Sequence, residues 1–375
     1  MTPFHCTLCQ AVVFFENVEC GHCGAWLAFD PGQRRMLGFR NALSAAEPAP
    51  TVDAAGDDQP ARGDEAVPAL RSCANRWLHA NCNWLLDDDA PHGLCRSCRL
   101  TRTIPDLSVQ GNAQRWARIE QAKRRLVYGL DGLGLHPEPR GAGAFGDAGR
   151  GLCFDLMADS ADGVPVRTGH DAGVVTLNIA EADDAHRESV RVAMGEPVRT
   201  LLGHLRHEVA HYLQYRWVES DPARLEQCRS VFGDERQDYA QALARHYQQG
   251  PAVGWDQHHI TAYASAHPWE DWAETCAHWL QIVDAVETAA AWGLRLDGPS
   301  HARPVATAGN GEVATRDLVI AQWLPVAQFL NAMNRSIGVP DSYPFLMPPA
   351  VVEKLHCVAT LLAETRQRPT PETPP

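Results

Sequence analysis

Apolar residues recur at helical spacing over most of the second half of the chain, and over one stretch before it. Between residues 112 and 135, the apolar positions fall on one side of a predicted helix, with basic residues opposite. Further helical patterns cover about 197–218, most of 219–293, about 316–336 and about 349–365. The segment DERQDYAQALARHY within this region predicts a core helix.

Two stretches between residues 150 and 185 have the character of β-strands instead. They are LCFDLMAD and GVVTLNIAEADD, and the second is rich in β-branched residues. We expect GVVTLNI to be an edge strand, able to hold an extended peptide by adding it to the sheet. Many helices and few strands predict an α+β fold that is mostly helical with a small sheet.

Other stretches lack any pattern that could form a core. Residues 41–70 are rich in Ala, Pro, Asp and Glu and have no aromatics, which predicts a flexible acidic linker. Residues 294–312 predict a loop, and residues 366–375, RQRPTPETPP, predict a disordered tail. The remaining segments, 1–40, 71–105 and 106–365, are therefore the predicted folded units.

The first folded unit contains a doubled cysteine motif. Cys6-x-x-Cys9 and Cys20-x-x-Cys23 are separated by ten residues, which is typical of a zinc ribbon. Each pair forms a knuckle whose thiolates converge on one metal ion. Four thiolates close the coordination shell, so we predict a structural zinc that supports folding.

The second unit contains a less regular cluster. Cys95-x-x-Cys98 is a standard knuckle, whereas Cys73 and Cys82 lie nine residues apart. We predict a second structural zinc held by these four cysteines, with His79 or His92 as alternative ligands. A core that simply contains buried thiols is the other interpretation.

Charge and composition exclude some classes of partner. No apolar run approaches the roughly 20 residues of a membrane helix, and no signal peptide is evident. The net charge of −13 argues against broad binding to nucleic acid. Eight Arg and Lys residues lie between 95 and 130, and we interpret them as the solvated face of a helix, with local nucleic-acid contact as the alternative. Clustered cysteines without an export signal predict a cytoplasmic location.

The stretch GHLRHEVAHYLQY, residues 203–215, carries the candidate chemistry. It contains His207-Glu208-x-x-His211, and residues four apart share one face of a helix. Both imidazoles can therefore bind one zinc ion. Glu208 is rotated about 100° from His207, which suits a general base and not a ligand. His204 is one more histidine at helical spacing, with no role assigned.

A catalytic zinc takes three protein ligands, so a third is needed downstream. Residues 263–280, YASAHPWEDWAETCAHWL, supply a stripe of Glu270, Glu274 and His278, spaced every four residues. The tryptophans between them predict a buried helix, in which carboxylates need a partner such as a cation. Spacing alone does not choose among these side chains.

Matching stretches spread over residues 1–360 resemble a bacterial family of zinc-binding metallopeptidases with N-terminal cysteine-rich zinc modules. The stretches are FFENVECGHCG, CNWLLDDD, LCRSCRLTRTIPDLS, AKRRLVYGL, LNIAEADDAHRE, RTLLGHLRHEVAHYLQ, FGDERQDYAQAL, AYASAHPWEDWAET and RSIGVPDSYPF. The resemblance implies a zincin-like peptidase domain preceded by zinc ribbons. Similarity to zincins with a glutamate ligand further implies that Glu270 binds metal, that Glu274 supports a histidine ligand, and that Tyr263 faces the substrate oxyanion.

The predicted activity follows from these assignments. A water activated by zinc attacks a peptide bond of a peptide or protein substrate, with Glu208 as general base and Tyr263 as oxyanion donor. The chain would then hold three Zn²⁺ ions, one catalytic and two structural. The alternatives are a zinc-stabilised scaffold that binds protein or nucleic acid through an inactive site, and a peptidase recruited to nucleic acid by its ribbons.

Overall fold

The structure is a computed structural model, and the part described below comprises residues 2–40, 71–87, 90, 93–141, 149–159, 165–297 and 315–366. The predicted acidic linker at 41–70, the predicted tail beyond Arg366 and the alternative ligand His92 lie outside it. Among the described residues, none of the helices combines the length and apolar character needed to cross a lipid bilayer.

The N-terminal segment forms two small antiparallel hairpins. Strand β1 (Phe4–His5) pairs with β2 (Val12–Val13), and β3 (Trp26–Asp30) pairs with β4 (Arg35–Phe39). The hairpins bring the two knuckles together and bury Cys6 and Cys20. So small a unit cannot bury enough apolar surface to fold alone, so its stability depends on its neighbours and on any bound metal.

The second cysteine segment packs on the first one. The backbone amide of Phe29 donates a hydrogen bond to the carbonyl of Asn83, and the amide of Leu85 donates to the carbonyl of Phe29. The ring of Trp84 in the second segment lies 5.2 Å from that of Phe29 in the first. Phe29 and Phe15 in turn contact Tyr128 in the following helix, with ring centroids 5.4 Å and 4.8 Å away. The two segments therefore share one core with the rest of the chain.

A four-stranded sheet joins the second cysteine segment to the helical part. Its order is β5 (Thr101–Thr103), β6 (Cys153–Met157), β8 (Val174–Asn178) and β7 (Gly169–Asp171). The first three strands are parallel, and helix α1 (Asn112–Gly132) connects β5 to β6. Parallel strands need such a crossover.

The expected edge strand is an interior strand. GVVTLNI forms β8, which pairs with β6 on one side and antiparallel with β7 on the other. Val175 and Leu177 are buried whereas Val174 and Thr176 are only partly buried, so the interior position of β8 comes from its pairing on both sides and not from a fully apolar sequence. The expectation of an exposed edge at β8 was therefore wrong, and the edges of the sheet are β5 and the short strand β7.

The remaining helices confirm the predicted α+β class. They are α2 (Asp184–Met194), α3 (Leu201–Leu213) with a π-helical continuation (Gln214–Val218), α4 (Pro222–Phe232), α5 (Tyr239–Gln249), α6 (Pro268–Ala291), α7 (Thr315–Asp317), which leads through a π-helical segment (Leu318–Trp323) into α8 (Leu324–Ser336), and α9 (Pro349–Arg366).

Helices α3 and α6 form the centre of the molecule. The indole of Trp272 on α6 donates to the carbonyl of Ala210 on α3 across their contact, at 3.0 Å. Helix α9 supports α6 from the other side, where Lys354 forms a buried ion pair with Asp271. The predicted core helix α5 is instead a surface helix, because only Ala242 is buried along it.

Candidate metal centre

Helix α3 presents the two histidines of the central motif on one face. The helix begins after Thr200, whose side chain accepts a hydrogen bond from the amide of Gly203 at 2.9 Å. The rings of His207 and His211 have centroids 4.9 Å apart at an interplanar angle of 83°. Their spacing of four residues lets both rings converge on one point beside the helix.

Helix α6 brings a carboxylate to the same point. Its first turn is fixed by His267, which accepts from the amide of Trp269, and by Pro268 at the first helical position. Glu270 then lies in the first turn, where the contact between α3 and α6 buries it.

The distances fit a tetrahedral zinc ion. Oε2 of Glu270 lies 3.2 Å from Nε2 of His207 and 3.5 Å from Nε2 of His211. Zinc bonds of about 2.0–2.1 Å in tetrahedral geometry separate ligand atoms by about 3.3 Å. These three side chains offer ligand atoms that all lie within 4.8 Å of one another.

The two oxygens of Glu270 have different environments. The hydroxyl of Tyr239 donates to Oε1 at 2.6 Å, whereas Oε2 is buried with no hydrogen-bond partner. Burial alone would raise the pKa of Glu270, but His211 and His207 hold it well below its ordinary value. A buried anionic oxygen without a donor costs several kcal/mol unless a cation faces it, so the residues present fit a divalent metal.

Glu274 has a different set of partners. Its Oε1 lies 2.6 Å from Nδ1 of His207, and its Oε2 accepts from the hydroxyl of Thr261 at 2.8 Å. A proton on Nδ1 of His207 leaves Nε2 free to bind metal, which is the usual arrangement around a ligating histidine. The last member of the stripe, His278, contacts the hydroxyl of Tyr343 at 2.8 Å and not the cluster.

Glu208 lies beside the cluster and is buried. Its Oε1 is 3.3 Å from Nε2 of His204, one turn earlier on α3. Burial would raise the pKa of Glu208, but His204, His207 and His211 together lower it. The side chain is therefore a carboxylate at neutral pH, the form that can accept a proton.

Tyr263 lies in a 3₁₀ turn (Tyr263–Ala266) that precedes α6. Its ring is half-buried, with its centroid 6.1 Å from that of His207. Burial first, and then Glu270, raise the pKa of its hydroxyl far above the ordinary value. Tyr263 therefore stays protonated and is available as a hydrogen-bond donor.

Sequence reasoning assigned no role to two residues at this site. His204 stands four residues before Glu208, so the spacing itself could have indicated the contact. Tyr239 lies in the segment predicted only as a core helix, because its contact with Glu270 joins separate helices and leaves no local pattern. Its position depends on where α5 begins, which Asp238 sets by accepting from the amide of Gln241.

The two cysteine clusters also have the spacing of metal sites. Sulfur atoms lie 3.8 Å apart for Cys6 and Cys23 and 3.6 Å apart for Cys9 and Cys20. In the second cluster, Cys82 and Cys95 are separated by 3.7 Å. Tetrahedral zinc–sulfur bonds of about 2.3 Å place sulfur atoms about 3.8 Å apart. Cys73 and Cys98 complete the second group of four thiols.

The clusters differ in exposure and in surrounding charge. Cys23 of the first cluster is exposed, whereas all four thiols of the second are buried. Burial would lower the pKa of Arg124, but Cys82 and Cys98 raise it, which indicates a buried guanidinium close to the thiolates. Such a cation offsets the net negative charge of a zinc bound by four thiolates. The alternative ligand His79 lines a nearby cavity of about 380 Å³ with Gln114 and Arg118.

Comparison with known proteins agrees with this arrangement of sites. A protein from Mycobacterium bovis and two from strains of Mycobacterium tuberculosis, each described as an uncharacterized protein, are 41% identical over 365 residues, covering 97% of this chain and 96% of theirs. No solved structure matches the chain.

Two family models match separate parts of the chain. A zinc-ribbon domain model matches residues 3–109, which include both cysteine clusters. The model described as "Putative zinc-binding metallo-peptidase" matches residues 112–361, which include α3 and α6. The chain therefore belongs to this zinc-binding metallo-peptidase family and carries a zinc-ribbon domain in front of the family domain.

Proposed function

We propose that this protein is a zinc-dependent peptidase in which His207, His211 and Glu270 hold the catalytic zinc and Glu208 is the general base. The observation that carries the proposal is the buried Oε2 of Glu270, which has no hydrogen-bond partner and lies 3.2 and 3.5 Å from two imidazole nitrogens. Resemblance to zincins with a glutamate ligand supports the same set.

The chain's own residues divide the chemistry among them. Zinc, when bound, supplies Lewis acidity that acidifies water and polarises a carbonyl. Glu208 accepts the proton of the attacking water and returns it to the leaving amine. Tyr263 donates a hydrogen bond to the oxygen on which negative charge develops. Glu274 holds the ring of His207, and Tyr239 holds Glu270 so that only one carboxylate oxygen points into the cluster.

The proposed substrate is a peptide or protein. The proposed role of the zinc ribbon is structural. Eight basic residues between 95 and 130 were the candidate for nucleic-acid contact, and each has an intramolecular carboxylate, carbonyl or thiolate neighbour. They are Arg96, Arg99, Arg102, Arg115, Arg118, Lys123, Arg124 and Arg125. This supports a structural role for these residues and not a phosphate-binding face.

The clustered thiols favour a reducing compartment, so we propose a cytoplasmic location.

One pair of measurements tests the function. Wild-type protein and Glu208→Gln are assayed against a broad peptide library, and the zinc content of both is measured. Gln keeps the size of the side chain but accepts no proton, so zinc should stay bound while cleavage falls at least about 100-fold. Equal cleavage by the two proteins would refute the proposed mechanism. Full zinc content without cleavage by either would favour an inactive scaffold.

A further inference from the structure

His204 joins Glu208 to a charged cluster formed by Glu181, Arg199 and Glu196. Its side chain is largely buried, and its Nε2 lies 3.3 Å from Oε1 of Glu208. Glu208 is buried too, so its rotamer depends on the groups that touch it. Among the described residues, His204 is the side chain that lies within ion-pair distance of this carboxylate.

The other ring nitrogen of His204 is held by residues from two further elements. Nδ1 lies 3.5 Å from Oε2 of Glu181, in the turn after β8, and 3.2 Å from Nη2 of Arg199, just before α3. Arg199 also binds Oε1 of Glu181 at 2.9 Å and Oε1 of Glu196 at 3.0 Å. The ion pair between Arg199 and Glu181 therefore contacts the side of the His204 ring that is opposite Glu208.

The contacts of His204 favour a proton on Nε2. In the neutral tautomer in which Nδ1 accepts from the N–H of Arg199, the proton resides on Nε2. If the ring is charged, both nitrogens carry protons and face a carboxylate on each side. In both states an N–H at Nε2 faces Glu208.

We propose that His204 is a positioning residue that holds the Glu208 carboxylate in the orientation required of a general base, and that Glu181 and Arg199 hold His204 in place. The inference rests on the proposed function, because it assigns a role toward the base. A general base that is already oriented speeds the reaction, because its carboxylate does not have to be ordered on the way to the transition state. A buried carboxylate on a flexible glutamate side chain would otherwise sample several rotamers.

The test uses acetohydroxamic acid as the probe, so that no substrate has to be known. This compound binds an open metal position as an anion and gives its proton to a neighbouring base. The labile metal of the full-length protein is exchanged for Co²⁺, and the change in its visible spectrum on titration gives the Kd. Wild type should bind, and Glu208→Gln should bind at least about tenfold more weakly, since it accepts no proton.

Two amide variants of His204 form a matched pair. The side chain of His204→Gln places its amide N–H₂ where Nε2 stood, whereas that of His204→Asn reaches only the Nδ1 position. We expect Gln to bind the probe within about threefold of wild type and Asn to lose about tenfold or more, the scale typical of groups that support a metal site. Cobalt content and thermal unfolding should be similar for both, which separates positioning from folding.

The double variant Glu208→Gln/His204→Asn separates a shared role from two independent ones. If His204 acts through Glu208, the double variant should bind the probe no more weakly than Glu208→Gln alone. Additive losses, or an Asn variant that binds like wild type while Glu208→Gln does not, would overturn the positioning role. A Glu208→Gln protein that binds like wild type would overturn the proposed base, and the role of His204 with it.

Discussion

Glu270 and Glu274 lie one turn apart on α6, yet their partners differ. Glu274 has both oxygens occupied, by His207 and Thr261, while Glu270 keeps one buried oxygen free. Spacing alone could not separate the two carboxylates, because both lie on the same helical face. The difference arises from contacts with α3, α5 and the loop before α6, which a local pattern does not contain.

This difference predicts distinct outcomes for the two alanine variants. Glu270→Ala should lose one zinc ion, since it removes a ligand, while the cysteine-bound ions remain. Glu274→Ala should keep the ion but with about 10- to 100-fold lower affinity, the usual cost of losing a partner of a ligand. Zinc content after dialysis and competition with a chelator measure both effects. A site emptied by Glu274→Ala and filled in Glu270→Ala would reverse the assignment.

Tyr239 should contribute to zinc affinity through Glu270. Tyr239→Phe leaves Oε1 of Glu270 buried without its donor, which costs about 1–3 kcal/mol. We expect the affinity of this one site to fall about tenfold or more, as measured by chelator competition. Tyr247→Phe on the same helix is the matched control, because Tyr247 is exposed. Equal affinities for the two variants would contradict this role of Tyr239.

Helix α3 and the two cysteine clusters are the elements that sequence predicted best. Their signals are local, since a helix face and a C-x-x-C knuckle each depend on neighbours a few residues away. The central position of β8 and the exposure of α5 were predicted wrongly. The position of β8 and the burial of α5 both depend on which elements pack next to them. The amphipathic pattern of α5 shows that one face is apolar but not how deeply that face is buried.

Strand β5 is the element that attaches the second cysteine segment to the sheet. Arg102 and Thr103 on β5 both bind the carboxylate of Asp155 on β6. The bond from Arg102 lowers the pKa of Asp155, although partial burial opposes this. Because the pKa in the folded state is depressed, the stabilisation is present above the unfolded pKa of about 3.9 and is lost only as pH falls through the lower folded value.

Asp155→Asn should therefore reduce stability by a similar amount at every pH from about 5 to 8. We expect about 1 kcal/mol, because Arg102 is half-exposed and its ion pair is screened. Urea unfolding at pH 5.5 and pH 8 in the presence of zinc measures the difference. Asp184→Asn is the control, since Asp184 lies exposed in the first turn of α2. A difference that grows strongly between the two pH values would contradict this linkage.

At the scale of the whole molecule, the described residues form three candidate metal sites of two kinds. Two have four thiols each, and one has two imidazoles and a carboxylate. We expect three zinc ions per chain by elemental analysis of fresh, reduced protein, and one ion would rule out this count. A mild chelator should remove the histidine-bound ion first, since an open site exchanges its metal more readily than a closed four-thiolate site.

The zinc ribbon should not be removable from the family domain. Phe15 and Phe29 pack on Tyr128 of α1, and β5 forms one edge of the sheet. A chain that begins at residue 106 lacks these groups and exposes an apolar face of α1 together with the bare edge of β6. We expect it to aggregate or to lose cooperative thermal unfolding, whereas full-length protein unfolds cooperatively. A soluble truncated chain with an unchanged melting temperature would contradict the shared core.

The parallel pairing of β5 with β6 also has a consequence for synthesis on the ribosome. The cysteine clusters emerge first, because chains fold from the N-terminus as they are made, but β5 has no partner until Cys153–Met157 has followed. The site of His207, His211 and Glu270 is completed last, because Glu270 is synthesised after both histidines. A translation product that stops before α6 can therefore carry both thiol clusters and still lack a complete metal centre. Interrupted synthesis would therefore release fragments that lack the complete site of the proposed activity.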